Sequence, residues 1–213
     1  MKVIVIDTET TNSLEEPICY DIGFAIVEKD SGEVLTHKSY VVADIFLDKE
    51  LMDNAYFKEK IPQYWEEIKK GQRVLTPFYK IAQEFRKLMK ENEVEEVYAH
   101  NMRFDYRSLN LTQRFITCSK FRYFFPYGTK ICDTLKMARA ILSKDEEYKN
   151  FCLANGYITK NNQVRYTAEV IYRYLTNNVE FVESHTGLED VLIEKEILKH
   201  CLAVDSECDG GLW

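Results

Sequence analysis

Five side chains of this 213-residue chain have the types and spacing to do chemistry together: Asp7 and Glu9, Asp105, and His185 with Asp190. In an extended chain, side chains alternate, so Asp7 and Glu9 point to the same side and converge on one point. Two anions held together repel unless a cation lies between them. Alone, the pair reads as a solvated acidic turn. Two later segments change that reading, His100-Asn101-x-x-Phe104-Asp105 and His185-Thr186-Gly187-Leu188-Glu189-Asp190, because they offer further oxygen ligands and a base. Four hard oxygen donors with no Cys or His cluster select Mg²⁺ or Mn²⁺ over Zn²⁺. Two such ions suit phosphodiester hydrolysis, one activating water and the other stabilising the leaving oxygen. A histidine, with its ordinary pKa near 6.5, is suited to take the proton from that water.

These residues need elements to position them. Val3 to Ile6 is an unbroken β-branched run, which predicts a strand covered on both faces and ending at the two carboxylates. Tyr20–Glu28 and Val34–Val42 follow as an antiparallel meander around an Asp30-Ser31-Gly32-Glu33 turn. Asp48–Lys70 predicts two short helices on the flank of the sheet. Thr76-Pro77 reads as an N-cap followed by proline at the first helical position, and Phe78, Ile81, Phe85 and Leu88 recur at helical spacing. Val94–Ala99 predicts a strand that delivers His100 and Asn101, with a helix from about Arg103 that places Asp105 in its first turn. Lys130–Asp133 predicts a short strand and Thr134–Leu142 a helix.

From Lys144 to Phe181 the pattern is that of a less regular lobe in which aromatic and basic residues interleave. It holds a helix around Tyr148–Ala154, an Asn155-Gly156 stop, a hairpin across Lys160–Gln163 and a helix over Thr167–Leu175. Thr186 and Glu189 have capping-box spacing, which starts the last helix at Gly187, puts Asp190 in its first turn and leaves His185 in the loop before it. Ile193, Ile197, Cys201 and Val204 share Asp190's face, the face expected on the sheet. The tail Asp205–Trp213 reads as frayed.

Composition bounds the remainder. The length fits one domain, residues 1–203 with a 204–213 tail, able to bury a core without disulfides. Six cysteines without a Cys-x-x-Cys pair, and a start that runs directly into a strand, lead to the expectation of a cytoplasmic protein with free thiols. No apolar run approaches a membrane span. A net charge of −7 argues against nucleic-acid binding through the overall field. Positive charge is concentrated between Arg103 and Lys130, however, as a phosphodiesterase of short single strands would have it.

Asp7-Thr8-Glu9-Thr10, His100 to Asp105, Asp133-Thr134-Leu135 and His185-x-x-Leu188-x-Asp190 stand in the order found in the DEDDh 3′-to-5′ exonucleases. This DnaQ-like group includes the proofreading epsilon subunit of DNA polymerase III and ribonuclease T. The resemblance covers residues 1 to about 203. It implies an α/β, RNase H-like fold with a five-stranded mixed sheet flanked by helices. It implies Asp7, Glu9, Asp105 and Asp190 as ligands of two Mg²⁺ ions, for which Mn²⁺ substitutes, and His185 as general base. Thr8, Thr10 and Asn101 would hold the terminal nucleotide. The implied activity is stepwise hydrolysis of single-stranded DNA from its 3′ end to nucleoside 5′-monophosphates, including proofreading for a separately encoded DNA polymerase. RNA 3′-end trimming and a non-catalytic, metal-binding subunit are the alternatives. Two features depart from the pattern. Gly187 stands where the family often has alanine, and the lobe at 144–181 is longer than in the proofreading subunit, with Arg165–Glu169 and Phe181–Glu183 resembling phage-encoded members.

Overall fold

The computed structural model describes residues 1–118, 120–208 and 210–212. Its elements in chain order are β1 (Lys2–Thr11), β2 (Ile18–Glu28), β3 (Val34–Val42), α1 (Ala43–Phe46), α2 (Lys49–Met52), α3 (Ile61–Lys69), β4 (Val74–Thr76) and α4 (Phe78–Glu91). There follow β5 (Glu96–Ala99), α5 (Met102–Ile116), β6 (Lys130–Asp133), α6 (Thr134–Leu142), α7 (Glu146–Ala154), α8 (Ala168–Thr176) and α9 (Gly187–Val204).

The strands form one mixed sheet in the order β4-β3-β2-β1-β5-β6. β1, β2 and β3 are the antiparallel meander, β5 and β6 run parallel to β1, and β4 runs parallel to β3. The sheet thus has six strands where five were expected. The addition, β4, is three half-exposed residues just before Pro77, too short to show a period-2 pattern.

Alternation along β1 sorts the core into two layers. Ile4 and Ile6 pack with Phe24, Phe85, Leu109 and Phe124 on the face covered by α4 and α5. Val3 and Val5 pack with Met137, Val191, Ile197 and Cys201 on the face covered by α6 and α9. β1 does not end at its carboxylates but continues, paired with β2, to Thr11. Asp7 and Glu9 therefore extend the Val3–Val5 row and face α9. As expected, Ile193, Ile197 and Cys201 are buried on the sheet side of α9, whereas Val204, at its end, is exposed.

Three local expectations need correction. Thr76 closes β4 rather than capping α4, whose Phe78 N–H donates to Asp44 Oδ2 at 2.7 Å. The capping box does not form: the Thr186 hydroxyl donates to Glu189 Oε2 at 2.5 Å, and the Gly187 N–H is capped by Asp21 Oδ2 of β2 at 3.0 Å. The tail is not frayed throughout. Gly210 O accepts from Asp133 N–H at 2.8 Å and Leu212 N–H donates to Ile131 O at 2.9 Å, so these residues cover the outer edge of β6. Trp213 lies outside the described residues.

The lobe is built on Tyr148, whose buried ring meets Tyr166 and Tyr174. Its hairpin is small, a bridge between Ile158 and Val164 closed by Thr159 N–H to Gln163 O at 2.7 Å.

Candidate active site

A cleft of about 1210 Å³ opens at the end of β1 and β5, between the sheet and the lobe. Asp7, Glu9, Asp105, His185 and Asp190 all line it, together with Thr8 and Asn101.

The β1 acids are positioned by pairing. Asp7 lies opposite Gly23 and Glu9 opposite Asp21, and the register slips immediately after Glu9. A bulge of this kind re-aims neighbouring side chains and is common beside functional sites. Asp105 arrives from the opposite face. Its helix α5 begins at Asn101, which is held in the left-handed region (φ 71°) with its N–H donating to Asp133 Oδ1 at 3.0 Å. Asparagine tolerates that conformation better than most residues. Asp133 also caps α6 through Leu135 N–H at 2.9 Å, so one carboxylate fixes the starts of two helices. The Thr8 hydroxyl donates to Asp105 Oδ1 at 2.8 Å and lies 3.0 Å from Ser108 Oγ. Its side chain thus orients a carboxylate of the cleft. Thr10 is buried and is not part of the cleft wall.

α9 and the loop before it bring the last two groups. One carboxylate oxygen each of Glu9 and Asp190 and a ring nitrogen of His185 lie within 4.8 Å of one another. Asp7 and Asp105 line the same cleft outside this tightest group. His185, also left-handed (φ 51°), stacks on Phe57 with ring centres 4.3 Å apart and an interplanar angle of 9°. Its Nδ1 is 3.8 Å from Glu183 Oε2. The Lys60 ammonium donates to Ser184 O, tying the same loop to the segment that carries Phe57.

The electrostatics are those of anions without counter-charge. Burial, then Asp190, pushes Glu9 up to about 9, and burial, then Glu183, pushes Asp190 up to about 8. Burial raises Asp105 to about 7 even though the Thr8 hydroxyl opposes the shift. Asp7 is raised well above the carboxylate range by burial and then by Glu194, Asp105, Glu9 and Asp190. The charges acting on Asp7, Glu9 and Asp190 most strongly are all other carboxylates. His185 moves the other way: burial and then Lys60 lower it, which leaves the imidazole neutral at pH 7. A cluster of acids whose strongest neighbouring charges are other acids fits hard divalent cations, and a neutral imidazole beside it fits a proton acceptor.

Sequence reasoning missed three parts of the cleft. Glu183 and Glu194 add two acids to its lining. For Glu194 a signal existed, since it lies one turn after Asp190 on the same otherwise apolar face. The third part is the positive wall. Arg139, Lys149, Lys160 and Arg165 line the cleft, whereas none of Arg103, Arg107, Arg114, Lys120, Arg122 and Lys130 does. The stretch from α5 to β6 carries its charge elsewhere, with Arg114 5.7 Å from the Tyr123 ring and Lys130 3.3 Å from Glu96.

Acids from β1, α5 and α9 meet at one end of a mixed sheet, and the fold that carries them is the RNase H-like fold seen in solved structures of DEDDh-family nucleases. Among solved structures it is similar to the nuclease domain of 3′hExo, a DEDDh family member bound to rAMP, with TM-score 0.62 at 11% identity over 97% of this chain and 93% of that one. It is similar also to Schizosaccharomyces pombe Pop2p in its Mg²⁺- and Mn²⁺-bound form, with TM-score 0.55 at 13% identity over 99% and 89% of the two chains. Escherichia coli ExoI in complex with single-stranded DNA gives TM-score 0.56 at 14% identity, over 97% of this chain and 41% of that one. No protein-family profile matches the sequence, and no curated protein sequence matches it. The shared property is therefore the fold. No helix among the described residues is long and apolar enough to cross a membrane.

Proposed function

We propose that the protein is a metal-dependent 3′-to-5′ exonuclease that hydrolyses single-stranded DNA from its 3′ end to nucleoside 5′-monophosphates. The observation that carries this reading is the convergence of Asp7, Glu9, Asp105, Asp190 and His185 on one cleft whose far wall is basic. Asp7, Glu9, Asp105 and Asp190 would hold two Mg²⁺ ions, or Mn²⁺ in their place, which supply charge to activate water and to stabilise the departing 3′-oxygen. His185, neutral and stacked on Phe57, accepts the proton of the attacking water. Asn101, at the start of α5, and the backbone around Thr8 orient the strand end, whereas Thr10 does not line the cleft.

The lobe gives the substrate its path. Lys149, Lys160 and Arg165, with Arg139 from α6, present cations across from the acids. A phosphodiester chain crossing the cleft meets the cations along its backbone while its scissile phosphate reaches the acidic end. This separation explains how a chain of net charge −7 attracts a polyanion: the field is local, not global.

RNA is the second reading. It is favoured by the likeness to a structure described as 3′-exonuclease recognising the histone mRNA stem-loop, with TM-score 0.61 at 10% identity over 98% of this chain and 83% of that one. Digestion of matched single-stranded DNA and RNA oligomers with Mg²⁺ or EDTA tests both. Stepwise release of 5′-monophosphates that stops with EDTA and in Asp7→Ala supports the nuclease reading, and the preferred oligomer identifies the sugar. His185→Ala should lower kcat by roughly 10²–10⁴-fold. Turnover that persists in EDTA would remove the metal from the mechanism. Proofreading beside a separately encoded polymerase is the expected setting, checked by faster excision of a mismatched than a matched primer end.

A further inference from the structure

Glu194 is 3% exposed, lines the cleft with the other acids and leaves its Oε2 without a hydrogen-bond partner. Buried carboxylate oxygens are rarely left unpaired, because each forfeits its hydration without return. The side chain is not loose. The His100 backbone N–H at the end of β5 bonds the carboxylate, and Asp105, Asp190 and Glu183 are the charges nearest to it. Asp7, in turn, feels Glu194 more strongly than any other charge. Glu194 sits one turn beyond Asp190 on α9, so both side chains leave the helix from the same face. The charges that act most strongly on it are all carboxylates.

On the reading that the cleft holds divalent ions, we propose that Glu194 is a fifth carboxylate of the metal site, its free Oε2 placed to accept hydrogen bonds from the hydration water of an ion held by the neighbouring acids. Mg²⁺ and Mn²⁺ keep several waters when bound by few carboxylates, and those waters need acceptors. A carboxylate one shell out raises affinity through its charge and fixes the orientation of what lies inside it.

The test is calorimetric titration of Mn²⁺ into the full chain, wild type against Glu194→Gln. Glutamine keeps the shape and an oxygen for the His100 N–H, and replaces the charged Oε2 acceptor with a neutral amide. The expected result is about 10–100-fold weaker Mn²⁺ binding with unchanged stoichiometry and an unchanged far-ultraviolet dichroism spectrum. Glu194→Met, which fills the space without charge or hydrogen bond, should show the same loss and covers the case in which the glutamine variant folds poorly. Binding within twofold of wild type in a folded variant would overturn the assignment of Glu194 alone. Absence of Mn²⁺ binding to the wild type would overturn the metal reading of the whole cleft.

Discussion

Arg73→Met offers a strong test of how the site is held. Arg73 is 4% exposed, its Nη1 lies 3.1 and 3.3 Å from the two Asp21 oxygens and 2.8 Å from Ser39 Oγ, and its Nη2 lies 3.0 Å from Glu189 Oε2. Its Nε bonds Glu67, and the guanidinium stacks 4.7 Å from the centre of the Tyr64 ring. Asp21, fully buried, also accepts from Tyr64 Oη at 2.6 Å and from Gly187 N–H at 3.0 Å. Removing the guanidinium leaves the Asp21 charge buried with two neutral donors. Breaking a buried pair from one side costs about 3–5 kcal/mol. At roughly 2–4 °C per kcal/mol for a domain of this size, the melting midpoint should fall by about 6–20 °C. Because Asp21 caps α9, activity should fall as well, through Asp190 and His185. Adding Asp21→Asn removes the orphaned charge while keeping an acceptor for Gly187 N–H, so the double variant should be more stable than Arg73→Met. Thermal unfolding followed by circular dichroism measures all three proteins. A loss below about 1 kcal/mol in Arg73→Met, or no recovery in the double variant, would refute the argument that Asp21 and Arg73 act as one unit.

Other outcomes follow from the same geometry. The folded-state pKa values of Asp105, Asp190 and Glu9, raised to about 7, about 8 and about 9, lie above those of the unfolded chain, so stability is complete below the unfolded values near pH 4 and is lost as pH rises toward 9. Melting in EDTA should therefore drop from pH 5 to pH 9, and Mg²⁺ should flatten that slope; a rising midpoint in EDTA would contradict it. Gly187→Ala, the residue common in the family, places a Cβ 2.7 Å from Gly23 N and should cost about 1–3 kcal/mol in chemical denaturation. Gly23→Ala meets backbone at 2.1 Å and should cost more. Lys160→Glu with Arg165→Glu should raise KM for oligonucleotides at least tenfold and leave kcat nearly unchanged, with an effect that fades as salt increases; an unchanged KM would detach the lobe from the substrate path.

What the sequence made legible follows a physical pattern. β6 and α6 were expected with the boundaries they have, because a short strand around Ile131 and Cys132 runs straight into an amphipathic helix capped by Asp133. Alternation and helix starts are local rules, and they placed Asp7 and Glu9 on one face of β1 and Asp105 and Asp190 in the first turns of α5 and α9, from where the topology gathers them on one cleft. The rest depended on contacts between distant segments. No local pattern shows that Asp21, on a buried strand, caps a helix 166 positions later. The cleft's cations were misplaced for a similar reason: counting charges along the chain located the densest run, whereas the cleft takes its cations from Arg139 of α6 and from Lys149, Lys160 and Arg165 of the lobe. Gly187 looked like a departure from the family pattern until its neighbour across the interface, Gly23, explained it.

The crossing of Gly23 and Gly187 brings main chain against main chain, with the Asp7 carbonyl also within 3.3 Å of where a Gly187 side chain would begin. The carboxylates of the first strand and the last helix are therefore spaced by a direct backbone-to-backbone contact. On a ribosome, Asp7 and Glu9 emerge long before His185 and Asp190, and the cleft has neither its full set of acids nor its proton acceptor until α9 docks. A fragment that stops short of α9 would lack Asp190 and the helix that covers the Val3–Val5 face of the sheet.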